Sequence, residues 1–185
     1  PPAVEREGTS VSKGQILRCE RRRIPTIVLG LVLQAALGTI VTAQTDTVAA
    51  GGRIYRQKAD CQACHGWAGD GRKMNNQMPD GANLRESQLD REQLLFVIKC
   101  GLPGRSMPAF DRRAYTDDRC LGRTRADLER MGLALPDPAS TLQPREMERL
   151  GDFLMAKVIG LGPMNRAVCV DYWGEDLEVC AEFPD

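Results

Sequence analysis

Apolar and polar positions along this chain fall into helical periods, and nowhere into the strict alternation of a half-buried strand. The clearest stretch is 144–159, PREMERLGDFLMAKVI. Met147, Leu150, Leu154 and Val158 recur on one face there, with Phe153 beside them. Pro144 suits the first helical position, where a missing N–H costs nothing. A second helix is expected in DREQLLFVIKCG. Asp90 and Gln93 are spaced for a capping box, Leu94, Leu95 and Ile98 share a face, and Gly101 can stop it. A third is expected over 47–60, TVAAGGRIYRQKAD, with Ile54 and Tyr55 inward and Arg53, Arg56 and Lys58 outward. Gly51 and Gly52 weaken that helix by propensity, so their use there points to close approach of another helix. Residues 124–132, TRADLERMG, predict one or two turns with Thr124 as cap and Gly132 as stop. Residues 66–89, GLPGRSMPAF and LPDPASTLQ are loops rich in glycine or proline, and 160–185 reads as a loop-rich extension. The expectation is an all-α fold with long loops and no internal repeats.

The first 43 residues have a different organisation. RCERRR at 18–23 precedes an uncharged apolar run, 24–41, and then Val41-Thr42-Ala43. Basic, apolar and small-residue regions in that order form a secretory signal, with cleavage expected near Ala43. The rival reading is a retained membrane anchor, since the run is just long enough to span. Residues 1–17 have no reading as structure. On either reading, the chain after residue 44 lies outside the cytoplasm, in the periplasm, where thiols pair. The expected organisation is therefore an upstream signal or anchor (1–43), one domain (44–160) and an extension (161–185).

Composition narrows the function. The 185 residues carry 25 basic and 25 acidic side chains, so no strong positive field argues for nucleic acid. Only 5% are aromatic, thin for a core of this size, and a bound apolar cofactor would supply what is missing. Six acids and no base occupy 171–185, which reads as a solvated acidic face.

The chemistry is concentrated in CQACHGWAGDG, residues 61–71, which holds two cysteines and the chain's single histidine. C-x-x-C-H is the pattern for covalent attachment of a c-type haem. Cys61 and Cys64 are spaced to become thioethers on two vinyl groups of one macrocycle, and His65 then faces the iron. A thioredoxin-like dithiol would need a βαβ context, which is missing. A structural zinc site would need four ligands, and no second histidine or second C-x-x-C exists. A plain Cys61–Cys64 disulfide would leave His65 without a role.

With one histidine, a bis-histidine iron within the chain is excluded, and methionine is the other common axial ligand. Met74 and Met78 follow His65 too closely to reach the opposite face. Met147 and Met155 belong to a helix stripe, Met131 to a helix end and Met164 to the extension. Met107, in GRSMPAF between Pro103, Gly104 and Pro108, sits in a rigid loop suited to presenting a thioether. The competing role is a methionine filling a core gap.

Together, GGRIYRQKADCQACHG, SMPAF and REMERLGDFLMAKV make residues 47–159 resemble a class I (mitochondrial-type) c-type cytochrome. The resemblance implies a cytochrome c fold, in which the first and last helices cross around one covalent haem c. Gly51, Gly52 and Tyr55 would meet Leu150, Phe153 and Leu154 at that crossing. It implies a carbonyl from a proline-containing loop, here Pro79, accepting the His65 N–H. Against the family pattern, the stretch after Met107 is long and an extension follows residue 160. Their four cysteines allow three pairings. Cys100 with Cys120 and Cys169 with Cys180 close the shortest loops. The implied function is one-electron transfer from a dehydrogenase to an oxidase or other acceptor, with no catalytic residues of its own. Lys99, Arg105, Arg112 and Arg113 are candidates for a basic docking rim, and ordinary surface charge is the alternative. Two further readings are an obligate haem subunit of a larger oxidoreductase, and a haem enzyme with an open distal site.

Overall fold

A computed structural model describes residues 46–185, which lie within one of the chain's two units, Thr39–Asp185. The expectations for residues 1–43 fall outside the described residues. Among the described residues the structure is helical, with one isolated bridge between Cys120 and Arg123 and no strand. No helix among them is long and apolar enough to cross a membrane.

Helix α1 runs from 46 and ends in a π-helical turn, Ile54–Lys58. It is followed by α2 (Gln62–His65), α3 (Arg91–Cys100), α4 (Arg125–Arg130), α5 (Pro144–Lys157) and α6 (Arg166–Trp173). Single 3-10 turns lie at Leu84–Glu86 and Glu178–Glu182.

The core is built where α5 packs against α1 and α3. The apolar stripe read from the sequence is buried as a unit: Met147, Leu150, Phe153, Leu154 and Val158 meet Ile54, Tyr55, Leu94 and Ile98. Burial of each such side chain stabilises by roughly 1.5–3 kcal/mol. Gly51 is the contact point between α1 and α5. A Cβ there would lie 2.6 Å from Phe153 Cβ and 2.8 Å from the Arg149 carbonyl carbon. The Tyr55 and Phe153 rings meet at 5.7 Å beside it. Helix α3 begins with the expected reciprocal cap, in which Gln93 N–H donates to Asp90 (2.9 Å) and Asp90 N–H to Gln93 (3.0 Å). Thr124 and Asp127 cap α4 in the same way.

A smaller cluster forms under the long stretch after Met107. Ala109, Ala114, Tyr115 and Leu128 surround the Cys100–Cys120 disulfide.

The reading of 160–185 as loop is corrected: it contains α6. Asn165 accepts from Val168 N–H at its start, and Gly174 ends it at φ 81°. Met164, Cys169 and Cys180 pack with Ala68, and Cys169–Cys180 closes the unit. Its acidic side chains stay exposed while Tyr172 and Cys180 are buried.

Candidate haem-attachment site

The π turn sets up the motif. Ala59 N–H reaches back to Ile54 O (2.9 Å) and Cys61 N–H to Tyr55 O (2.9 Å), and Asp60 turns the chain at φ 48°. The single turn α2 then places Cys61 and Cys64 three residues apart on one face. Gly66, at φ 79°, reverses the chain where a side chain would strike Asp70 and the Arg72 carbonyl. Tyr55 Oη donates to Gly66 O (2.7 Å), which ties the end of the motif to α1.

The loop that follows folds back over α2. Gly71 N–H donates to His65 O (2.8 Å), and Gly81 N–H to Cys64 O (3.1 Å). Gly81 permits the approach: a Cβ there would lie 2.7 Å from Cys64 O and 2.8 Å from His65 Nδ1. The next carbonyl, that of Ala82, stands 2.8 Å from His65 Nδ1. The expected acceptor, Pro79, does not hold this position. It is exposed, and Lys73 holds its neighbours outward through Met78 O (3.0 Å) and Asp80 (2.9 Å).

A carbonyl can only accept, so His65 Nδ1 carries the proton and Nε2 keeps a free lone pair. Burial lowers the imidazole pKa, opposed by the bond to Ala82, so the ring is neutral at pH 7. Both motif cysteines are unpaired. Burial pushes the Cys61 thiol up to about 12 and raises Cys64 in the same direction. Buried neutral thiols are poor dithiol reductants, since the thiolate is the reactive form. Among the described residues, no group of three or more His, Cys, Asp or Glu stands together as a metal cage.

Met107 lies in the loop that follows α3. Phe110 N–H and Asp111 N–H return to the Ile98 and Lys99 carbonyls (3.0 and 3.2 Å), which lays the Met107 loop along the end of α3. Gly101, at φ 61°, lets the loop close, because a Cβ there would lie 2.6–2.8 Å from the Met107–Ala109 backbone. Cys61, Leu84, Leu89 and Met107 are half-buried at the margin of the same apolar cluster. Unpaired neutral thiols, a free imidazole nitrogen and an apolar rim left half open fit a flat apolar group held by Cys61, Cys64 and His65. The disulfides are Cys100–Cys120 and Cys169–Cys180.

Gly81 and Ala82 are site residues that the sequence pattern did not single out. Only the glycine left a signal, as a missing side chain in the loop that must lie on the motif.

Residues 46–123 match the family model for cytochrome C oxidase, cbb3-type, subunit III. No curated protein and no solved structure matches this chain. The family match and the helical fold give an all-α cytochrome c domain with one covalently bound haem c, whose chemistry is electron transfer to and from redox partners.

Proposed function

We propose that this chain is an exported, periplasmic one-electron carrier in which Cys61 and Cys64 hold the haem and His65 and Met107 ligate its iron. Bound there, haem c supplies an iron that gains and loses one electron. The observation that carries the reading is the 2.8 Å contact between His65 Nδ1 and Ala82 O. It fixes the tautomer, orients the ring and makes Nε2 a better donor. Met107 is the sulfur ligand of choice because its loop is pinned at both ends, by Gly101 and by the bonds to α3. With the Met107 thioether and the His65 imidazole both holding the iron, the reduced state would be favoured and no position would be left for substrate. Export is supported by the 18–43 pattern and by the two disulfides.

The partner surface in this reading surrounds the Met107 loop. Arg105, Arg112 and Arg113 are exposed, Lys99 is half-buried, and none makes an ion pair among the described residues. Free cations beside exposed Leu102 suit brief docking to an acidic redox protein. Replacing Arg105, Arg112 and Arg113 by Gln should slow association at least several-fold at low salt and little at high salt, by stopped-flow kinetics. Equal rates at low salt would remove the rim from the proposal.

The ligand assignment is tested by the ferric spectrum. Met107→Ala should abolish the long-wavelength methionine–iron band and lower the reduction potential. A wild type that is high-spin and lacks that band would refute it. A second reading, a subunit of a membrane oxidoreductase, is favoured by the family description itself, which names an oxidase subunit. Co-migration of the native protein with an oxidase on size exclusion would select it over the free carrier.

A further inference from the structure

His65 is gripped from two sides, and both grips lead to the C-terminal extension. On one side the chain runs from His65 into Trp67 and Ala68. Tyr172 Oη donates to Trp67 O (2.5 Å), and the Trp67 ring is stacked on Trp173 (5.5 Å) and edge-on to Phe183 (6.0 Å). On the other side is the segment that carries the Ala82 carbonyl. Its continuation, Leu84 and Arg85, donates both amides to Gly69 O (2.7 and 3.3 Å). Arg85 is only 1% exposed. Its Nε donates to Gly162 O (2.5 Å) and its Nη1 to Lys157 O (3.4 Å), while Gly162 N–H returns to Arg85 O (3.1 Å). Arg85 therefore joins three segments: the one facing His65, the end of α5 and the start of the extension.

A buried guanidinium is a costly way to join backbone segments. Arg85 makes no ion pair, and its Nη2 has no partner among the described residues. An apolar side chain of similar volume would pack there with less desolvation. What a guanidinium adds is direction, since its planar donors fix the backbone they bind. Arg85 itself stands three residues after the carbonyl on His65, so tying its side chain to the Lys157 and Gly162 carbonyls also holds its own segment in place.

We propose that Arg85 is a positioning residue for His65: by anchoring 82–85 to the extension, it holds the Ala82 carbonyl on Nδ1 and so sets the donor strength of the imidazole. This rests on the reading of His65 as an iron ligand. With a looser Ala82 contact, the Nδ1 proton exchanges faster. The ring then donates less to the oxidised iron, which shifts the equilibrium toward the reduced form.

The test uses haem-loaded protein carrying Arg85→Met or Arg85→Lys. NMR follows exchange of the His65 Nδ1 proton, and redox titration gives the oxidised-to-reduced ratio. Arg85→Met should speed exchange by roughly tenfold or more and move the ratio severalfold toward reduced, with Arg85→Lys in between. Leu128→Ala, in the separate cluster under the long insertion, should lower thermal stability and leave exchange of the His65 Nδ1 proton unchanged. If Arg85→Met does not fold, Arg85→Lys decides alone. Unchanged exchange and ratio in a folded Arg85 variant, or the same faster exchange in Leu128→Ala, would overturn the proposal. A wild type whose His65 ring resonances carry no haem shift would overturn the ligand reading instead.

Discussion

Gly51 and Gly52 are neighbours in one helix, yet the structure gives them opposite responses to alanine. A Cβ on Gly51 would meet Phe153 Cβ at 2.6 Å and the Arg149 carbonyl carbon at 2.8 Å, with the carbonyl oxygen closer still. Ordinary carbon contacts lie at about 3.5–4.0 Å, so the shortfall is about 1 Å. The obstacle is the backbone of α5, which cannot swing aside, so α1 and α5 must part. A gap of that size forfeits about a quarter to a half of each contact well across the interface, including Tyr55 on Phe153. Overpacking costs about 1–3 kcal/mol, and a rigid backbone obstacle belongs at the upper end. Helix propensity returns about 1 kcal/mol for glycine to alanine. Gly51→Ala should therefore destabilise by about 2 kcal/mol. At Gly52 the nearest atoms are Phe153 Cε2 at 3.1 Å and the Arg56 guanidinium at 3.3 Å, side-chain ends that can yield. There the propensity gain offsets the strain, and Gly52→Ala should be neutral or slightly stabilising. Propensity is common to both substitutions, so the comparison isolates the helix contact. Thermal unfolding of the haem-loaded protein reads it, at about 2–4 °C per kcal/mol for a chain of this size. Equal midpoints for the two variants would refute the crossing at Gly51.

The remaining predictions concern the staples and an inter-helix ion pair. Cys100→Ser with Cys120→Ser opens a loop of sequence separation 20, which should cost about 3 kcal/mol on the chain-entropy account. On the ligation proposed above, Met107 should also leave the iron at a lower pH than in the wild type on alkaline titration; an unchanged midpoint would show that the disulfide supports only its own cluster. Cys169→Ser with Cys180→Ser should raise hydrogen exchange in α6 while α3 keeps its protection, and uniform exchange across both would count against a separately stapled extension. The Gln143 N–H and then Lys58 (2.6 Å) hold the Glu146 carboxyl below its ordinary value of 4.5. That stabilisation is fully present above the ordinary value and is lost as pH falls through the lower folded value. The stability gap between wild type and Glu146→Gln in urea should be widest at pH 5–7 and should close toward pH 3; a constant gap would refute the link.

Helices whose order comes from their own periodicity were legible in the sequence. The α5 stripe, the Asp90 and Thr124 caps and the glycine pair of α1 each act over one or two turns, and each reappears where the pattern put it. Helix α5 was readable although the family match ends at residue 123. The motif was readable because covalent attachment fixes its spacing. What could not be read depends on partners far along the chain. Met78 through Ala82 offers a run of chemically equivalent carbonyls, and the one that meets His65 is selected by how the loop lies on α2. A proline marked the segment, but Gly81 decides the residue, because only there can the backbone touch the ring. Helix α6 escaped for the same reason. Its order comes from Trp67 and from Cys180, so no local period announces it. Arg85 is the extreme case: as an isolated letter in LRES it reads as surface charge, and its burial follows only from two carbonyls more than 70 residues away. Residues legible from local pattern build the helix frame and attach the cofactor. Residues that need the tertiary structure surround His65, where, on the ligation proposed above, they would set the donor strength of the imidazole.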